Sequence, residues 1–190
     1  LSFFILVLLN QAIGGGLPLP GTDEIDRALD ALYRKAGISA QPASVQGDVR
    51  VHFIDVGQGD CALVQTPEKN LLIDAGDVGM GDLVADYLKA QGVQRLDFVL
   101  ATHPHADHIG GMADVIEAFE VGRIIFSDIP DHLLPTTRVY ERLLDAIAAK
   151  KLKLTRAYPG ATYDLGDGVR MTILAPLEQY TEDLIEYSVV

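Results

Sequence analysis

A chain of 190 residues with a formal net charge of −12 is long enough for one domain of ordinary size, and its acidity argues against a broad basic surface for nucleic acid. It does not exclude a nuclease, because bound metal ions bring their own positive charge. The single cysteine, Cys61, rules out an internal disulfide, and the sequence contains no internal repeat or low-complexity tract.

The first nine residues, Leu1 to Leu9, are nearly all apolar but make only about half the length that spans a bilayer. With no initiator methionine and no basic leading region, they fit a clipped signal-peptide core; a buried terminal strand is the other reading. Ile13 to Gly21 is rich in Gly and Pro and reads as linker. Thr22 caps a helix whose Ile25, Ala28, Leu29, Leu32 and Ala36 form one apolar stripe, with Gly37 as its stop. Pro42 to Gly47 is a second linker. Residues 1–20 are therefore expected to be a clipped export segment and linker, residues 21–46 an accessory helix and linker, and residues 47–190 the main domain.

From Val49 the pattern alternates, with Val49, Val51 and Phe53 on one side and Arg50, His52 and Ile54 on the other, which predicts a strand. His52 reads as a strand residue rather than a ligand. Asp55 to Asp60 is a turn in which Gly57 and Gly59 supply unusual backbone angles. Cys61 reads as small apolar filling rather than a nucleophile. Leu71 to Ile73 is an apolar strand ended by Asp74, and Gly81 to Gln91 an amphipathic helix with Leu83, Val84, Tyr87 and Leu88 inward. Leu96 to Ala101 has the length and character of a buried strand.

The next stretch, Thr102-His-Pro-His-Ala-Asp-His-Ile-Gly-Gly111, packs three of the five histidines and one aspartate into six positions. A polar surface loop with scattered histidines does not give that density. His103, His105, Asp107 and His108 sit on a loop at a strand end, where a rigid scaffold holds ligands. Neutral imidazole and carboxylate suit Zn²⁺ and similar divalent ions; His103 and His105 can converge on one ion while Asp107 and His108 face a second. Gly110 and Gly111 let the backbone turn sharply. Met112 to Phe119 follows as a helix with Met112, Val115, Ile116 and Phe119 at helical spacing.

Beyond it, Gly122 to Ser127 continues the strand–helix order, and His132, between Pro130 and Pro135, reads as a solvated loop histidine. Thr137 to Lys150 predicts a helix with Val139, Tyr140, Leu143, Leu144 and Ile147 on one face and lysines favourably placed at its end. A run of strands includes Ala161 to Leu165 and Val169 to Leu174 about a Gly-Asp-Gly turn. Glu186 to Val190 looks like the start of another.

His103-Pro-His-Ala-Asp-His108 resembles the His-x-His-x-Asp-His signature of the metallo-β-lactamase superfamily. Val51 to Val64, with Asp55-Val-Gly-Gln-Gly-Asp60 inside it, and Leu71 to Gly76 resemble the opening of its competence-type branch, the hydrolase domain found at the end of the DNA-uptake channel ComEC and in smaller exported relatives. The resemblance covers Val49 to Val190. It implies an α+β fold, a four-layer αββα sandwich of which this chain carries the first half. It also implies two divalent metal ions, zinc first and manganese as the alternative, with His103, His105, Asp107 and His108 as ligands and Asp107 also orienting the metal-activated water. Asp74 would receive a ligand imidazole's other N–H and fix its tautomer, the alternative being a simple strand-end turn. Asp55, Gln58 and Asp60 would rim the site, or serve turn chemistry alone. A further histidine after the strand at Glu186, a bridging aspartate and a final histidine match no position here. The chain by itself is thus expected to bind metal weakly, to show little activity and to leave one sheet face uncovered. The function implied is a metal-dependent hydrolase that cuts a phosphodiester, single-stranded DNA among the candidates, outside the cytoplasm and without a stable protein partner. The alternatives are hydrolysis of another ester, lactone, thioester or β-lactam, or a degenerate binding module.

Overall fold

The computed structural model of the chain describes residues 49–166, 168–175 and 188–189. The expectations for residues 1–46, and for most of the stretch after Ala175, lie outside the described residues. The chain divides into two compact units between Gln46 and Gly47, and the elements below belong to the second.

Apolar residues run without a break through Leu71-Leu72-Ile73, Val99-Leu100-Ala101 and Ile124-Ile125-Phe126, the pattern of strands buried on both faces. These runs form the centre of a six-stranded sheet. Its strands are β1 (Arg50–Phe53), β2 (Ala62–Gln65), β3 (Asn70–Ile73), β4 (Arg95–Ala101), β5 (Glu120–Ser127) and β6 (Leu154–Ala157), and they lie side by side in sequence order. The β1–β2–β3 meander is antiparallel, whereas β3, β4, β5 and β6 are mutually parallel. Parallel neighbours need crossovers. These are helix α1 (Gly81–Ala90), the one-turn α2 (Ala106–Ile109) with α3 (Met112–Ala118), and α4 (Arg138–Ala149).

Leu72, Val99 and Ile124 point to the helices and share a core with Val84, Leu88, Met112, Ile116, Leu143 and Ile147. Their chain neighbours Leu71, Leu100 and Ile125 point the other way. They pack with Tyr163, Leu165, Ile173 and Val189, beneath the antiparallel hairpin of β7 (Thr162–Asp164) and β8 (Arg170–Thr172).

The strand expected from Val49 is present as β1, and the structure adds which of its sides is covered. Val51 and Phe53, the apolar side of β1, are 54% and 86% exposed, while Ile54 is buried. Alternation alone defines two sides but not which one is covered. One expectation needs correction: Leu83, expected inward, and Leu144, expected on the apolar face of its helix, are exposed, because each helix buries a narrower stripe than its apolar residues define. Among the described residues no helix is long and apolar enough to cross a membrane.

Candidate metal centre

The parallel register sets Ile73 opposite Leu100, so β3 and β4 end side by side and release Asp74 and Thr102 at the carboxyl edge of the sheet, where open α/β sheets bind ligands. Asp74 N donates to Leu100 O at 2.9 Å, and Asp74 then adopts φ +55, a left-handed conformation that aspartate tolerates better than most residues. The turn throws its fully buried carboxylate across to the next strand.

There Thr102 donates twice, from N to Asp74 Oδ1 at 2.8 Å and from Oγ1 to Oδ2 at 2.6 Å. His108 Nδ1 lies 2.8 Å from the same Oδ2. Burial pushes the Asp74 carboxyl above its ordinary value, against the pull of the Thr102 and His108 hydrogen bonds. As a carboxylate it only accepts, so Nδ1 carries the proton in that bond and Nε2 is the His108 nitrogen left for other partners. The Thr102 hydroxyl, its own proton given to Asp74, is 3.2 Å from His103 Nδ1 and can accept from it. His103 Nε2 is freed in the same way.

The three imidazoles crowd together. Ring centroids are 4.8 Å apart for His103 and His105 and 3.9 Å for His103 and His108. Burial first, then the neighbouring His108 and His105, lower the His103 pKa from its ordinary 6.5 to about 4. His103 is therefore neutral at physiological pH and has a lone pair to offer. Asp107, half-buried in the first turn of α2, brings Oδ2 to 4.0 Å from His108 Nε2. Clustered imidazoles beside a carboxylate are donors that fit a divalent cation.

Asp60, Asp74 and His108 also place one donor atom each within 4.8 Å of one another. That trio suits a cation less well: Asp74 is already saturated by Thr102 and His108, and the Asp60 carboxylate, 3.7 Å from His108 Nδ1, is 78% exposed. Asp55 accepts from Gly57 N at 3.1 Å within its own turn, and Gln58 is exposed; neither hydrogen-bonds to the histidine cluster among the described residues. His52 Nδ1 is 3.1 Å from the Tyr87 hydroxyl, and His132 is exposed on a 3₁₀ turn, Asp131–Leu133. Cys61 is buried in the helix-side core, where desolvation, then the charges of Asp74 and Asp60, push its thiol up to about 12.

Sequence reasoning assigned no role to Thr102, whose two bonds to Asp74 join the halves of the site. Its one signal was its position between a buried strand and the first histidine. Gly110 and Gly111 have ordinary negative φ angles, −58° and −87°, so sharp turning is not what they supply. A Cβ at Gly110 would overlap Val78 N, and one at Gly111 would sit 2.5 Å from Ala75 O. Both are glycines because the loops around the cluster are pressed together.

The model of the metallo-beta-lactamase superfamily matches residues 54–185, well over half of the chain. Competence protein ComA of Neisseria gonorrhoeae is 36% identical over 80 residues, 41% of this chain and 12% of that protein. The atrochrysone carboxyl ACP thioesterase of Passalora fulva is 36% identical over 72 residues, 36% of this chain and 21% of that one. Among solved structures, the Rm3 metallo-beta-lactamase shares the fold with a TM-score of 0.50 at 20% identity, over 66% of this chain and 48% of that one. The chain thus spans about half of the solved enzyme and a smaller part of the curated relatives. The order of strands and helices, the histidine-rich loop at the β4 edge and the family match agree: the chain belongs to the metallo-beta-lactamase superfamily and is similar to its competence-type members.

Proposed function

We propose that this chain carries the metal-binding loop of a metal-dependent hydrolase that cuts phosphodiesters, single-stranded DNA among them, outside the cytoplasm. His103 and His105 hold one divalent ion and Asp107 and His108 a second, zinc first and manganese as the alternative. The observation that carries this reading is the convergence of three imidazoles and Asp107 on one edge of the sheet, with His103 held neutral and His108 Nδ1 fixed by Asp74 at 2.8 Å. Ions bound there would lower the pKa of water towards about 7 and offset charge on phosphoryl oxygens. The protein's own part is to keep His103 unprotonated, to aim His108 through its Nδ1 contact with Asp74, to exclude water behind the cluster with Ile109 and Met112, and to present Asp107 as the carboxylate that orients the attacking water.

The phosphodiester is favoured by the similarity to competence protein ComA. The similarity to a thioesterase supports a second reading, in which the same residues serve an acyl thioester. Assays of the full-length protein on bis(p-nitrophenyl) phosphate and on an acyl thioester, with Zn²⁺ or Mn²⁺, separate the two. His105→Ala is expected to abolish the preferred activity and leave the circular dichroism unchanged. If it keeps its rate, the assignment of the loop is wrong.

A further inference from the structure

Asp107 and His108 lie on a helix of a single turn, in which Gly110 N takes up the Ala106 carbonyl at 2.7 Å and the next two carbonyls have no partner within the turn. Both are taken up from outside. Asp60 N donates to Asp107 O at 3.3 Å, and Ala75 N donates to His108 O at 2.8 Å. Gly76 N donates to Asp60 O at 3.0 Å and links the two donors. Asp60 comes this close because of the residue before it. Gly59 has φ +112, and a Cβ there would overlap the Asp107 carbonyl oxygen. Gly57, in the same turn with φ +73, faces open space.

We propose that the turn between β1 and β2 is a positioning clamp for the metal loop: Gly59 admits the Asp60 amide to the Asp107 carbonyl, and this backbone grip, not the Asp60 carboxylate, aims Asp107 and His108. The inference rests on the metal-site reading above, and it makes Gly59 and Asp60 positioning residues rather than ligands. The 78% exposure of the Asp60 side chain fits a residue whose amide is the working group.

The two glycines supply the control. Both substitutions to alanine meet a positive φ, but only the one at 59 also drives a methyl into Asp107. Two readouts apply: Co²⁺ uptake by the full-length protein, followed by visible absorbance, and hydrogen exchange of the His108 to Gly110 amides without metal. Gly59→Ala is expected to weaken Co²⁺ binding about tenfold or more, as loss of a supporting contact does, and to speed that exchange. Gly57→Ala should do neither. Asp60→Asn, which keeps the amide, should match the wild type in both. Should Gly59→Ala fail to fold, replacing the Asp60 amide by an ester linkage deletes the donor alone and is expected to give the same losses. Equal behaviour of the two glycine variants would overturn the clamp, as would loss of Co²⁺ in Asp60→Asn. If the wild type takes up no Co²⁺, the metal-site reading fails, while the exchange comparison still decides the clamp.

Discussion

His103 and Cys61 sit on opposite sides of the same electrostatic setting. Crowded by burial and two other imidazoles, His103 stays neutral down to about pH 4, whereas the unfolded chain takes up that proton near 6.5. The folded pKa is the lower one, so the unfolded state binds more protons between these values, and stability falls as pH drops from about 6.5 to about 4. The metal-free chain should melt at a lower temperature across that window, and His103→Gln should flatten the slope. An unchanged slope would place the proton elsewhere. Cys61, pushed up to about 12 by burial and nearby carboxylates, remains a thiol through the alkaline range used for labelling. Iodoacetamide at pH 8.5 should leave it unmodified in the folded chain and alkylate it once guanidinium unfolds the core, read by mass spectrometry. The charged and imidazole neighbours are partly legible, since His105, His108 and Asp60 are close in sequence to the residues they perturb, but the burial that leads both shifts comes from the packed sheet and helices and is not. The histidine loop itself was legible because its donors lie within six consecutive positions. The bond between Asp74 and His108 spans 34 residues and no spacing rule contains it; the resemblance, not the residue pattern, suggested a partner for Asp74.

Helix α4 shows where local signals suffice and where they stop. Thr137, read in the sequence only as the first residue of the helix, caps it, with Oγ1 accepting from Tyr140 N at 3.3 Å. Thr137→Ala is expected to cost about 1 kcal/mol in a denaturant titration without changing the m-value. A loss near zero would mean that solvent already satisfies that amide. Lys150 behaves less locally. Its position at the end of α4 suggests service to that helix's own dipole, yet Nζ donates to Glu117 O at 2.9 Å and Phe119 O at 2.8 Å, the frayed end of α3. Helix ends are satisfied by whichever donor reaches them, so a sequence shows the donor but not the recipient. The exposed face of β1 has the same origin: alternation marked Val51 and Phe53 as one side, and the hairpin of β7 and β8 packs over Leu71, Leu100 and Ile125 instead.

For the molecule, the metal-site reading makes stability depend on metal concentration. A ligand that binds only the folded state adds about 2.7 kcal/mol at a hundred times its dissociation constant. Zn²⁺ should therefore raise the melting temperature progressively, a chelator should return it to the metal-free value, and His105→Ala should blunt the rise. Melting that ignores Zn²⁺ up to millimolar levels would remove the cation from the account.

The strands lie in the sheet in the order in which they occur in the chain. Each ladder therefore closes between consecutive strands, and the entropy lost at each closure is that of one connection rather than of a long excursion. The parallel ladders still close across whole helical crossovers, so their contacts are less local than those of the β1–β2–β3 meander. Asp74 and Thr102 leave neighbouring strands that pair directly, so the scaffold of the cluster exists as soon as β3 and β4 have met, and the histidines inherit their geometry from a closure across the single crossover helix α1.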